Sequence, residues 1–469
     1  MKFNRIMAFT IGPIGAALLG LITMPFVAWL FSPDDIGRLS MLQVVLSFSL
    51  LLSSLGLDQA YVREYHEVND KPGLLKSVMA PGLIVQFVFL ICIVFMPWSA
   101  SKILFGIESS ALTLIVTLSI FISFFSRFLS LILRMEERGL AFSMSQVLPK
   151  LIFLIILFSY AFASTELQYF HLLLANFISL LTVLSIFIWS TRSSLRLALT
   201  SNIDKAKQRI MIGYAIPLIG SGMAFWGLTA MDKFFLRGIS NFEQLGIYAV
   251  SVTFAGAALV FQAIFSTVWA PTVYKWAAEG IDPAKIKNVT DYVMLGVITI
   301  WSFAGVFSWL LAYVLPSEYY QVPHILLAAM AYPLLYTLAE VTGIGVGIKR
   351  RTMYTLLAAI ASLIVNAIGN TILIPIYGAR GAAISSAIAF AVVFLVKTEA
   401  SSRLWFRFQS NIMYPFVSLM VVSSCIVNLW EFPNCVVSFW YILILIVGIA
   451  AYWKQAKGVC SFISSRVYK

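Results

Sequence analysis

The chain is 469 residues long, 61% hydrophobic and only 11% charged, with a mean hydropathy of +0.93. Such a composition excludes a water-soluble globule. The formal net charge of +12 does not point to nucleic acid either, because no soluble segment is long enough to form a basic domain. It reads as membrane topology and attraction to anionic lipid heads.

Apolar stretches of about bilayer length, roughly 20 residues each, lie near 9–31, 35–57, 77–98, 109–133, 142–163, 168–190, 210–236, 246–270, 289–315, 323–347, 353–374, 379–398, 410–430 and 435–453. They predict an all-α integral membrane protein of about fourteen transmembrane helices, or twelve should the last pair be misread. The first stretch is too long for a signal-peptide core and no Ala-x-Ala-like site follows, so it is expected in the mature protein. Trp29, Trp98, Trp189, Trp430 and Trp453 fall near span ends, where indole rings anchor at the interface.

Basic residues assign the orientation. With the N-terminus inside, the alternate connections run from Lys2 and Arg5, through Arg134, Arg138 and Lys150, the 191–209 connection, Lys349–Arg351 and the Lys397, Arg403 and Arg407 group, to Lys469. Twenty-six lysines and arginines fall on this side, against five (Arg38, Lys102, Lys233, Arg237 and Arg380) on the other, and Arg127 stays inside a span. Both termini are therefore expected in the cytoplasm. Cys92, Cys425, Cys435 and Cys460 form no disulfide framework, and His66, His171 and His324 are too scattered to ligate a metal. The longest connection, near 191–209, leaves no room for the outer domain that a membrane glycan polymerase or ligase needs. An enzyme is the less favoured class.

The chain repeats at an offset of 209. Pro33-Asp34-Asp35-Ile36-Gly37-Arg38-Leu39 is echoed by Phe242-Glu243-Gln244-Leu245-Gly246-Ile247-Tyr248, and Tyr65 by Tyr274. Six spans per repeat give two lobes of the same orientation, with a transport pathway expected between them. The expected domains are a first lobe at 1–200, a second at 201–402, a terminal span pair at 403–455 and a cytoplasmic tail at 456–469.

Three motifs then resemble a known family. Span seven begins Tyr214-Ala215-Ile216-Pro217-Leu218 and ends Met231-Asp232-Lys233-Phe234-Phe235. Span eleven carries Asn366-Ala367-Ile368-Gly369-Asn370, followed by Ile374-Pro375-Ile376-Tyr377-Gly378-Ala379-Arg380-Gly381-Ala382-Ala383. These are similar to the polysaccharide-transporter (Wzx-like O-antigen flippase) branch of the multidrug/oligosaccharidyl-lipid/polysaccharide exporter superfamily. The resemblance implies a bacterial inner-membrane flippase, working on undecaprenyl-pyrophosphate-linked oligosaccharide and associated with polysaccharide polymerase machinery. It implies no cofactor, with H+ or Na+ as the coupling ion if there is one. Many O-antigen flippases have twelve spans rather than fourteen. A cation-coupled multidrug exporter of the same superfamily is the alternative within transport.

Polar stripes on the spans supply the candidate site. Ser119, Ser123, Ser126, Ser130 and Arg134 step by three or four and share a helix face, with Arg127 beside Ser123 and Ser130. Arg127 lies about 10 Å inside the cytoplasmic end. An arginine there pairs, snorkels or faces water, and its planar fork suits phosphate. Asp58 and Arg63, at the inner end of span two, read as an inner gate or a surface pair, and Arg63 joins Arg127, Ser123, Ser130 and Arg134 as a candidate substrate-binding residue. Glu340 stands on span ten with Tyr332 and Tyr336, where it takes up a coupling ion or is a protonated acid bonded to a neighbouring helix. Thr355, Ser362, Asn366 and Asn370 share one face of span eleven, a pattern weighted towards helix packing, with Asn366 and Asn370 also candidate gate or coupling residues. Asp232 and Lys233, where the resemblance implies an acid–base pair, read as an inter-helix bridge or an outer gate. Prolines 13, 25, 81, 149, 217, 333 and 375 punctuate the spans.

Overall fold

The computed structural model describes residues 3–95, 99–162, 167–280, 283–406 and 411–467. Lys2, Trp98, Arg407 and Lys469 lie outside the described residues, as do the side chains of Arg5 and Pro217. Every regular element among the described residues is helical. Among the described residues, twelve helices are long and apolar enough to cross a membrane. Two further predicted spans are also helices: the 17-residue Met413–Leu429 and the 35-residue Lys205–Ile239. The chain is a multi-pass membrane protein.

It forms two compact units, Met1–Lys233 and Phe234–Lys469, and the division falls in the Lys205–Ile239 helix at the Asp232-Lys233-Phe234 motif. In the first unit, Phe3–Leu30 packs along Gly139–Phe162, and Ser110–Met135 along Tyr169–Ser190. In the second, Met353–Tyr377 packs along Ala379–Leu404, which also lies against Ala331–Thr342.

The polarity of the helices is inverted relative to a soluble bundle. On Met353–Tyr377, Ile360, Ile364, Ile368, Ile372 and Ile376 repeat every four residues and are exposed, while Ser362, Asn366 and Asn370 are fully buried. Hydrocarbon solvates the isoleucine ridge, so polar groups turn inward where other helices can bond them. Ile84, Phe87, Val88, Ile91 and Phe95 form a similar outward face on Lys71–Phe95. Trp29, Trp189, Trp430 and Trp453 are exposed near helix ends.

The sequence repeat marks equivalent helix starts. Ser32 caps Pro33–Ser54 in a capping box, its hydroxyl accepting from the Asp35 amide while Asp35 receives the Ser32 amide. Asn241, 209 residues on, caps Phe242–Ala255 by accepting from the Gln244 amide. Each cap satisfies an amide that a helix start leaves open.

Prolines act less uniformly than expected. Pro13, Pro25, Pro81, Pro149 and Pro375 sit inside unbroken helices. Span ten divides near its proline, into Val322–Ala329 and Ala331–Thr342, because Pro333 has no N–H to give the carbonyl four residues back. The 191–209 connection contains a further helix, Arg192–Thr200. Lys76 Nζ holds its end by donating to the carbonyls of Leu199 (2.9 Å) and Ser201 (2.8 Å).

Candidate functional site

The first unit holds an ion pair inside its helices. Pro33–Ser54 ends where Leu55 (φ 50°) and Gly56 (φ 67°) take left-handed backbone in succession. That turn starts the short helix Leu57–Glu64, whose Leu57, Ala60 and Tyr61 share a buried cluster with Phe124 and Phe128 of Ser110–Met135. Gly82 allows this packing: a Cβ there would collide with the Phe124 ring and the Ser53 carbonyl. The anchored helix brings Asp58 to Arg127. Arg127 Nη2 and Nε both donate to Asp58 Oδ2, at 2.6 and 3.1 Å.

Exposure separates the partners. The Asp58 side chain is 11% exposed and that of Arg127 44%. The carboxylate is enclosed with its counter-ion, whereas the Arg127 side chain is partly open and carries more N–H donors than the two that Asp58 accepts. This corrects the expected pairing of Asp58 with Arg63. Residues five apart on a helix are turned about 140° from each other, and Arg63 lies 3.8 Å from Glu64 with its guanidinium 4.5 Å from the Tyr214 ring centre. The serine stripe is also not one wet face. Ser119 is fully buried, Ser130 donates to the Arg127 carbonyl (2.7 Å), Ser123 is half-buried, and Arg134 lies over the Phe142 ring at 5.8 Å.

Two lysines counted with the connections belong to helices. Lys150 is eleven residues into Gly139–Phe162, about 17 Å along it, and donates to the Ala16 carbonyl at 2.6 Å. Gly20 leaves room, since a Cβ there would stand 3.0 Å from the ammonium. Lys397 lies well inside Ala379–Leu404. The apolar stretches 142–163 and 379–398 already contain both, because a long alkyl stem lets a lysine sit within an apolar run; only the charge count set them in connections.

In the second unit, Glu340 and Lys397 line one cavity of about 190 Å³ with Ser266, Trp269, Tyr274 and Thr355. Ser266 donates to the Glu340 carboxylate, and Trp269 Nε1 to the Glu340 main-chain carbonyl (3.3 Å). The Lys397 ammonium lies 5.3 Å from the Tyr336 ring centre. The expected span-eleven stripe divides accordingly. Thr355 faces this cavity, whereas Asn366 and Asn370 are packed: Asn370 Nδ2 donates to Asn366 Oδ1 (3.1 Å), and Asn366 Nδ2 to Ser386 Oγ (3.3 Å). Asp232 is 1% exposed and Lys233 half-buried; as consecutive helix residues they point to different surroundings.

The Tyr377–Ala383 motif is a turn. Gly378 takes φ 55° and ψ −127°, a conformation suited to glycine alone, and a Cβ there would strike the Gln244 side chain. Gln244 Oε1 instead accepts from the Ala379 amide at 2.9 Å. Arg380 Nη2 donates to Glu431 at 2.6 Å, and Asn428 to the Arg380 carbonyl at 3.1 Å. The guanidinium holds the Glu431 carboxyl below its usual range.

A many-helix membrane bundle that holds charged groups among its helices has the fold of known membrane transporters. The solved structure of lipid II flippase MurJ, in an inward closed conformation, is similar over 99% of this chain and 100% of its own (TM-score 0.67, 15% identity). An inward-facing multidrug resistance MATE transporter of the MOP superfamily is similar over 83% of this chain and 95% of its own (TM-score 0.58, 16% identity). No curated protein matches the sequence. The chain belongs to the polysaccharide biosynthesis protein family, whose model matches residues 4–276.

Proposed function

We propose that the protein moves a polyprenyl-pyrophosphate-linked oligosaccharide, of the O-antigen repeat-unit kind, from the cytoplasmic to the periplasmic leaflet of the bacterial inner membrane, making and breaking no bond. Its tail is at home in lipid, but each hydroxyl or phosphate left unsatisfied in hydrocarbon costs several kcal/mol. The observation that carries the reading is the half-exposed Arg127 side chain within a helix, neutralised by enclosed Asp58 when no substrate is bound. A diphosphate entering the bundle accepts from the Arg127 donors that Asp58 does not use, so the guanidinium bridges carboxylate and phosphate and the enclosed Asp58 keeps its partner in both states. Alternating access between the units, cytoplasmic termini, coupling through Glu340 to H+ or Na+, and hand-over to a polymerase on the outer side complete the proposal.

Deletion of the gene tests it, with mass spectrometry of the extracted carrier lipids. Accumulation of one completed lipid-linked unit is the expected result. Failure to complete that unit would make the protein an enzyme of its assembly. Unchanged polymer with altered drug resistance would support the multidrug-exporter reading favoured by the MATE-like fold.

A further inference from the structure

The cavity of the second unit has a chemistry of its own. An anion would meet the Glu340 carboxylate, and a metal cation would meet the Lys397 ammonium. A purely apolar guest would strand both charges without solvent. What satisfies the set is a neutral ring bearing hydroxyls, which donate to Glu340, accept from Lys397 and exchange bonds with Ser266, Tyr274 and Thr355. The Trp269 ring supplies an apolar wall for the C–H face of such a guest. The volume of about 190 Å³ holds about six waters at ~30 Å³ each, room for one sugar ring and not for an oligosaccharide. Glycines keep that space open. A Cβ on Gly347 would collide with the Tyr274 hydroxyl, and one on Gly343 would stand 3.1 Å from Lys397 Cβ.

We propose that this cavity is a subsite for a single sugar ring of the carried headgroup. The inference rests on the lipid-linked saccharide reading above and adds to it a place where sugar identity is sensed. The position suits loading: Glu340 is nine residues, about 13 Å of helix, before Lys349 of the basic turn expected in the cytoplasm.

Equilibrium binding to the purified full-length protein tests the subsite. The probes are a bare polyprenyl pyrophosphate and the same carrier bearing one sugar, drawn from a panel of hexoses and N-acetylhexosamines. At least one sugar-bearing carrier should bind ten times more tightly than the bare one. Ser266→Ala and Tyr274→Phe, which remove hydroxyls with little change of shape, should each cut that ratio threefold or more. The subsite is overturned if no sugar on the panel improves binding, or if the advantage survives both substitutions. Binding of neither carrier would instead sink the lipid-linked reading, and the subsite with it.

Discussion

Removing Arg127 and removing Asp58 should have unequal consequences, and the inequality can be worked from their exposures. Breaking a fully buried pair by deleting one partner costs about 3–5 kcal/mol, mostly the penalty of the stranded charge. In Arg127→Ala the stranded group is Asp58, nine-tenths enclosed, so the cost should be about 2–3 kcal/mol. In Asp58→Ala the stranded group is Arg127, 44% exposed, which can turn to water or lipid phosphate; about 1 kcal/mol is expected. The double substitution strands nothing and should cost about 1–2 kcal/mol, less than the sum of the single changes. Unfolding of the purified protein in mixed micelles measures the stability cycle, and polymer export by complemented cells measures function. If Arg127 contacts substrate, the double variant recovers stability without recovering export. Recovery of both would reduce Arg127 to a structural partner of Asp58. Additive stability losses, or a larger loss from Asp58→Ala, would refute the geometry itself.

Gly378→Ala should destabilise the second unit by about 2 kcal/mol or more, because it combines an unfavourable backbone region with a collision at Gln244; the same unfolding assay reads it, and a neutral result would mean that the turn is built differently. The Arg380–Glu431 pair sets a pH dependence. Since the folded carboxyl titrates below its usual range, its contribution is present above the unfolded pKa of about 4.3 and is lost as pH falls through the folded value. Wild type and Glu431→Gln should therefore differ in melting temperature at pH 7 and converge near pH 3, whereas a difference that persists at pH 3 would remove the ion pair as its cause.

The helices were legible because a bilayer demands long apolar runs, and that demand leaves little ambiguity over so many residues. The repeat was legible at its helix starts, where Ser32 and Asn241 do the same capping work. Partner choice was not. Asp58 is near Arg63 in sequence, yet it bonds Arg127 because the left-handed Leu55–Gly56 turn reorients its helix, and no periodicity encodes that turn. Lys150 and Lys397 were read as connection residues because charge counting treats every basic group near a span end as aqueous. The Asn366 and Asn370 stripe offered packing and a gate alike, since small polar side chains bond across helices at short range and the periodicity does not say which partner they meet.

These placements divide the family-like motifs from the groups available to a substrate. Gly378 makes a tight turn whose following Ala379 amide is held by Gln244, and Asn366 with Asn370 packs against the next helix through Ser386. Arg127, Glu340 and Lys397 differ in kind. They are charged groups within helices that remain accessible or line a cavity, and a charge kept in such a place at a desolvation cost needs a use. Resemblance through packing motifs therefore reports fold, while substrate choice is expected to vary at the charged and cavity-lining positions. Exchanging Ser266, Tyr274 and Thr355 for those of a homologue with a different repeat unit should move sugar preference with them and leave the turn at Gly378 and the assembled helices unchanged.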